Sequence, residues 1–136
     1  MKFFLKKINE KYANKKYVKW LNDKKVTKYL ELRHKETKLR DIVSFIKKTH
    51  NSKKTFIYGI FVDQKDNHIG NITLGPINFL YKTAEIGFFI GEEKYMAKGF
   101  MSLAIKEIIK ISKKKFKIKK LIGGCYEINH ASKKLF

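Results

Sequence analysis

Apolar and polar positions alternate with two different periods along the chain. Lys2 to Ile8 reads as a short strand. The segment around Tyr12 to Tyr29 carries Tyr12, Tyr17, Val18, Trp20, Leu21, Val26, Tyr29 and Leu30 as its apolar positions. It predicts one or two helices, with Asn22-Asp23 as a break or new cap. Glu31 to Glu36 is a polar loop, and Thr37 is placed to cap a helix reaching about His50. Leu39, Ile42, Val43, Phe45 and Ile46 are the apolar positions of that helix. Thr55 to Val62 is a strand rich in Ile, Phe and Val, Lys65-Asp66-Asn67 is a turn, and His68 to Leu74 returns antiparallel. Gly75-Pro76 is expected to break that strand. Ala84 to Gly91 is a further strand.

A helix comes next, from about Gly99 to Ser112, with Met101, Ala104, Ile105, Ile108 and Ile111 on one face, opposite Ser102, Lys106 and Lys110. Lys119 to Glu127 is a strand, and Asn129 starts a last helix. The strand–helix–strand order near the end requires a parallel pair joined by a right-handed crossover. The expected class is therefore mixed α/β (α+β), one sheet with helices on both faces.

Composition narrows the function classes. At 136 residues the chain is one domain's worth. Its 43% hydrophobic and 14% aromatic content excludes disorder throughout. A single Cys excludes a disulfide framework or Cys-rich zinc site and points to a reducing cytoplasm. No apolar run reaches the ~18 residues of a membrane span, and the apolar stretch of the opening MKFFLKKI is too short for a signal peptide. The net charge is +20, yet only Arg33 and Arg40 are arginines against 30 lysines. Nucleic-acid readers favour the planar guanidinium, so no specific nucleic acid is expected. Nonspecific attraction of polyanions at low salt is.

The most informative stretch is Glu85-Ile-Gly-Phe-Phe-Ile-Gly-Glu-Glu-Lys-Tyr-Met-Ala-Lys-Gly-Phe100, a strand running through a loop into a helix. Unpaired N–H groups at a helix start form an anion cradle at the positive end of the dipole. Lys94 and Lys98 add charge, and Gly99 permits close approach. A diphosphate suits such a cradle. An ordinary tight turn has the same local pattern.

Order and spacing of the remaining pieces go further. The chain resembles the GNAT N-acetyltransferase family, in the branch of ribosomal-protein alanine/serine and amino-sugar N-acetyltransferases, over nearly its whole length. Tyr17-Val-Lys-Trp-Leu-Asn-Asp-Lys-Lys-Val26 looks like that branch's first helices, Ile69-Gly-Asn-Ile72 like its central strand, and Ala84 to Gly91 like its pantetheine-binding strand. Lys94 to Gly99 stands where the family has Gln/Arg-x-x-Gly-x-Gly/Ala, and Asn129-His-Ala-Ser132 matches its Asn-x-x-Ser. Leu74-Gly-Pro-Ile-Asn78 and Gly124-Cys-Tyr126 look closer to sugar-modifying members. Lys94 and Ala97 depart from the pattern, one losing the planar fork and the other adding a methyl.

The resemblance implies an acetyl-CoA-dependent N-acetyltransferase acting on a primary amine of an amino sugar, a nucleotide sugar or a protein N-terminus, without metal or membrane. A homodimer is compatible with it. Backbone groups of Phe89, Ile90 and Gly91 would pair with pantetheine. Amides of Tyr95, Met96, Ala97, Lys98, Gly99 and Phe100, with Lys94, would hold pyrophosphate, and Asn129 would contact the cofactor arm. Glu85 is the candidate base and Ser132 the candidate group at the thiolate, because the family's tyrosine position holds Phe136. Arg33 and His34 fall in the acceptor-shaping loop. Cys125, Trp20 and the phenylalanines read as packing, His50, His68 and His130 lack metal-ligand spacing, and Lys113 to Lys120 reads as a solvated helix end. Family members continue for about thirty residues beyond this length, so residues 1–136 read as a single domain truncated at its C-terminus, with Lys119 to Glu127 an unpaired edge. Two other readings stand beside it: an acyl-CoA- or partner-binding GNAT-like domain without turnover, and a basic nucleic-acid-binding protein.

Overall fold

A computed structural model describes residues 2–27, 36–64 and 67–123. Strand β1 (Phe3–Lys7) leads into helices α1 (Lys15–Asn22) and α2 (Lys24–Thr27), then α3 (Leu39–Asn51). Strands β2 (Phe56–Val62), β3 (His68–Asn78) and β4 (Thr83–Ile90) come next, then helix α4 (Phe100–Phe116) and strand β5 (Lys120–Gly123). The five strands lie in the order β1-β2-β3-β4-β5. The first four are antiparallel neighbours, and β4 and β5 are parallel. This is the α+β sheet expected from the sequence.

Period-two alternation sorts the strand side chains onto two faces. One face carries Tyr58, Ile60, Ile72, Leu74 and Ile86 against Phe100, Ala104, Ile105 and Ile108 of α4. The other carries Ile57 and Phe61 against Tyr17, Trp20 and Leu21 of α1 and Ile42 and Ile46 of α3. The β4 residues alternate accordingly. Ala84 and Ile86 belong to the α4 side, which turns Glu85, Gly87 and Phe89 toward α1 and α3.

Local chemistry sets the helix ends. The Asn14 side chain accepts a hydrogen bond from Tyr17 N at 3.0 Å and caps α1. Asp23 Oδ1 accepts from Lys25 N at 2.9 Å and restarts the chain as α2. Asn22 reaches the other way: its amide donates to the Thr37 carbonyl at 2.8 Å and its oxygen accepts from Thr37 N at 2.7 Å. That clasp fixes the approach to α3 against the end of α1.

Several sequence expectations are corrected. The cap position of α3 is Lys38, not Thr37, and the Asp41 carboxylate accepts from Lys38 N at 2.8 Å. The buried stripe of α3 is Ile42, Ile46 and Thr49, while Leu39 and Phe45 are each 46% exposed. Gly75-Pro76 does not end β3; the register shifts between Leu74 and Ile77, and pairing resumes at Ile77↔Ala84. A bulge needs no N–H from the proline, which is why the strand tolerates it. Helix α4 runs one turn past Ser112, to Phe116, and closes on Lys117 at φ 56°. The strand expected to end at Glu127 is described to Gly123, and the last predicted helix lies outside the described residues.

Candidate functional site

The end of β4 and the start of α4 build the first part of the site. Gly91 donates its N–H to the Ile69 carbonyl at 2.7 Å. Antiparallel alternation then turns the Phe89 amide toward β3 as well and the Ile90 amide toward the β5 side. The described pairing with β5 stops at Ile86↔Gly123. Of the three residues expected to pair with a ligand arm, Ile90 therefore faces the β5 side.

The loop after β4 is braced from the opposite face. Trp20 Nε1 donates to Glu92 Oε1 at 3.1 Å, and Lys25 Nζ lies 3.1 Å from Glu93 Oε1. An added Cβ at Gly91 would stand 2.1 Å from the Trp20 ring, so only glycine lets α1 pack this closely. Glu93–Tyr95 form a 3-10 turn, in which Tyr95 N bonds Glu92 O and Met96 N bonds Glu93 O. The Tyr95 and Met96 amides are thereby taken, so the run expected over Tyr95 to Phe100 is displaced. Ala97 at φ 55° and Gly99 at φ 87° take left-handed backbone. Among the described residues the amides of Ala97, Lys98, Gly99, Phe100, Met101 and Ser102 have no partner, and the first α4 bond is Leu103 N to Gly99 O.

Alternation of left-handed residues ahead of a helix start makes an anion nest. Nothing lies within 4 Å of a Cβ built at Gly99, so the approach is open. The nest fits a pyrophosphate. Lys94 and Lys98 are exposed beside it, and the Lys94 ammonium lies 5.1 Å from the Tyr95 ring centre. The Tyr95 hydroxyl accepts from Asn67 Nδ2 at 3.2 Å, and Met96 packs into the α1–α3 core.

On the α1–α3 face, a cavity of about 250 Å³ opens between that pair and strands β3 and β4. Gly87 leaves its floor open, since an added Cβ there meets nothing within 4 Å. Leu21, Ile42, Phe45 and Phe89 supply apolar wall, and Tyr17, Thr37, Asp41, Asn71 and Thr73 are its polar residues. Glu85 is exposed, two residues from Gly87 on the same strand face, and its carboxylate has no hydrogen-bond or ion-pair partner among the described residues.

A polar chain missed by the sequence reading runs behind this cavity. Asn71 Nδ2 donates to the Tyr17 hydroxyl at 2.8 Å, and Asn71 Oδ1 lies 2.6 Å from His68 Nε2. That amide orientation requires the proton of His68 on Nε2. Rings of Trp20, Phe61, Tyr12 and Tyr17 surround the imidazole. Burial pulls the His68 pKa down to about 4, and burial pushes Tyr17 up to about 12. The signal in the sequence was only a polar His68 and Asn71 inside an apolar strand. Arg33, His34, Cys125, Asn129, His130, Ser132 and Phe136 lie outside the described residues. No group of three His, Cys, Asp or Glu suited to a metal occurs among the described residues, nor is any helix there long and apolar enough to cross a membrane.

A mixed sheet whose fourth strand feeds an anion nest at a helix start is the architecture of an acyl-CoA N-acyltransferase. The acetyltransferase (GNAT) domain family matches residues 2–136, and the chain belongs to that family, an N-acetyltransferase family that uses acetyl-CoA. No curated protein sequence matches it. Among solved structures, the ribosomal L7/L12 α-N-protein acetyltransferase RimL in complex with coenzyme A is similar at 18% identity and TM-score 0.84, over 98% of this chain and 76% of that one. A chimera of Vibrio cholerae spermidine N-acetyltransferase SpeG with hSSAT is similar at 18% identity and TM-score 0.83, over 99% and 77%. A GNAT-family acetyltransferase from Bacillus anthracis is similar at 22% identity and TM-score 0.81, over 99% and 76%. At such identities these likenesses concern the fold.

Proposed function

We propose that this chain transfers the acetyl group of acetyl-CoA to a primary amine, on a small molecule such as an amino sugar or on a protein N-terminus. The observation that carries the reading is the run of six unpartnered amides from Ala97 to Ser102, opening beside the Ile90 edge of β4. Those amides hold the pyrophosphate, with Lys94 and Lys98 adding charge. The Ile90 backbone orients the pantetheine arm. Bound acetyl-CoA supplies a thioester carbonyl open to attack by an amine.

The acceptor enters from the opposite face of β4, over Gly87. Glu85, unpaired on that face, takes the proton that the amine sheds, directly or through water. For Ser132 and Asn129, which lie outside the described residues, the family resemblance alone supports a role toward the thiolate and the cofactor arm. For Arg33 and His34, likewise outside the described residues, the resemblance alone supports a role in shaping the acceptor site.

Isothermal titration with acetyl-CoA, coenzyme A and inorganic phosphate tests the binding half. Saturable binding of both CoA species is expected, and its absence at millimolar cofactor rejects the reading. Gly99→Val puts a side chain into the open nest at a backbone angle suited to glycine, and affinity should fall at least tenfold. Unchanged affinity rejects the nest. Thiol release across an amine panel tests turnover, and Glu85→Gln should lower kcat with little change in KM.

A further inference from the structure

The end of the sheet remote from the nest carries a second surface, independent of the acetyl-transfer reading. The turn between β3 and β4 presents three consecutive apolar side chains, Phe79 at 50%, Leu80 at 81% and Tyr81 at 71% exposure. Asn78 Oδ1 accepts from Tyr81 N at 3.0 Å and holds the turn in shape. Single exposed apolar residues are ordinary, but a contiguous apolar tip marks an interaction site.

The chain around this tip is cationic. The Lys82 carbonyl accepts from Lys119 N at 2.8 Å and Lys120 N at 3.3 Å, which brings the α4–β5 connection alongside. Ile77 N donates to the Lys54 carbonyl at 2.8 Å, and the Phe56 and Phe116 rings meet at 4.7 Å, so the start of β2 and the end of α4 stand at the same level. Residues 51–56, 75–84 and 112–123 hold nine lysines, all exposed, and no acid. Lys113 to Lys120, a solvated helix end by sequence, thus becomes one side of a basic rim around an apolar tip.

That combination selects its partner. Nucleic acid offers phosphates to the lysines but leaves Leu80 in water. A second copy of the chain brings like charge against like. An anionic bilayer meets both demands, with headgroup charge for the ammonium groups and an interface where Phe, Leu and Tyr leave water. We infer that this end of the molecule docks on an anionic lipid surface, with Phe79, Leu80 and Tyr81 inserted at headgroup level and the lysines spread over it. The contact is peripheral and involves no span. The 8 residues of β4, roughly 25 Å of strand, separate the tip from the loop that leads into the nest, so the nest stays open while the protein is docked.

Vesicle flotation in about 100 mM NaCl compares phosphatidylcholine alone with a mixture holding about 30% phosphatidylglycerol. The mixed vesicles should bind at least tenfold more tightly. Leu80→Ser combined with Tyr81→Ser alters exposed positions, so the melting profile should be kept while affinity for mixed vesicles falls at least tenfold. Heparin, a polyanion without lipid, should bind that variant as it binds wild type at about 10 mM NaCl. In Tyr81→Trp, emission should shift to the blue on mixed vesicles and be quenched by bromine-labelled acyl chains, relative to wild type with its buried Trp20. Equal affinity for the two vesicles, equal binding by the double variant, or no blue shift at position 81 overturns the inference. So does a wild-type dimer that the double variant turns into a monomer, which assigns the tip to a second copy. RNA binding that persists at about 200 mM NaCl and is lost in the double variant assigns it to nucleic acid and likewise overturns the inference.

Discussion

At φ 55° the methyl of Ala97 crowds its own backbone, a conformation that disfavours any L-residue with a Cβ by about 1–2 kcal/mol. Glycine relieves that strain but loses more entropy on folding, so Ala97→Gly should stabilise by about 1 kcal/mol or less. Urea denaturation should give a higher midpoint, with coenzyme A bound at least as tightly; a lower midpoint contradicts the strain. His68 offers a pH test. Its folded pKa, about 4, lies below the ordinary 6.5, chiefly through burial, with Lys16 and Lys6 adding to the effect. The unfolded chain therefore binds a proton that the native chain refuses. Stability is full above pH 6.5 and declines as pH falls toward 4, by at most roughly 3 kcal/mol. His68→Gln should flatten that decline in denaturation curves measured across the range. Neither feature was fully legible beforehand. Ala97 stood out as a departure, but the short-range bonds that take up the Tyr95 and Met96 amides leave no trace in apolar spacing. The partner of Asn71 lies 54 residues away, beyond the reach of any local pattern.

Among the elements, α4 was the most readable, because Ala104, Ile105 and Ile108 repeat at helical spacing and all become buried. Ile108 is fully buried between α4 and the sheet. Ile108→Ala should cost about 2–5 kcal/mol, since the rigid strands cannot collapse into the space. Chemical denaturation measures it, and a loss under about 1 kcal/mol would contradict that packing. Strand β3 was less readable. The proline rule applies to regular ladder positions, and Pro76 sits at a shift of register where no amide is required. The α3 cap was misplaced by one residue for a related reason. Thr37 is a good capping residue by type, but its backbone is committed to Asn22.

Over the whole molecule, the charge of +20 meets few acids. The ion pairs among the described residues are Lys16–Glu92 and Lys25–Glu93, both partly or largely exposed. Repulsion between lysines thus outweighs attraction. Raising NaCl from about 10 to about 200 mM should raise the melting temperature, as screening shortens the reach of that repulsion. A falling melting temperature would mean that the two pairs matter more than the excess. Nonspecific polyanion binding should fade over the same interval.

The strand order has a consequence for synthesis. Strands β2, β3 and β4 are joined by short turns and each lies beside the one made just before it, so this meander can zip up as the chain leaves the ribosome at little loop-closure cost, and β1, held back across residues 8–55, adds to its edge. Its cover on one side, residues 100–116, is translated only after all four antiparallel strands. Until then Ile60, Ile72 and Leu74 face water, a sticky sheet awaiting its lid, and that interval is when a nascent chain has most need of a chaperone.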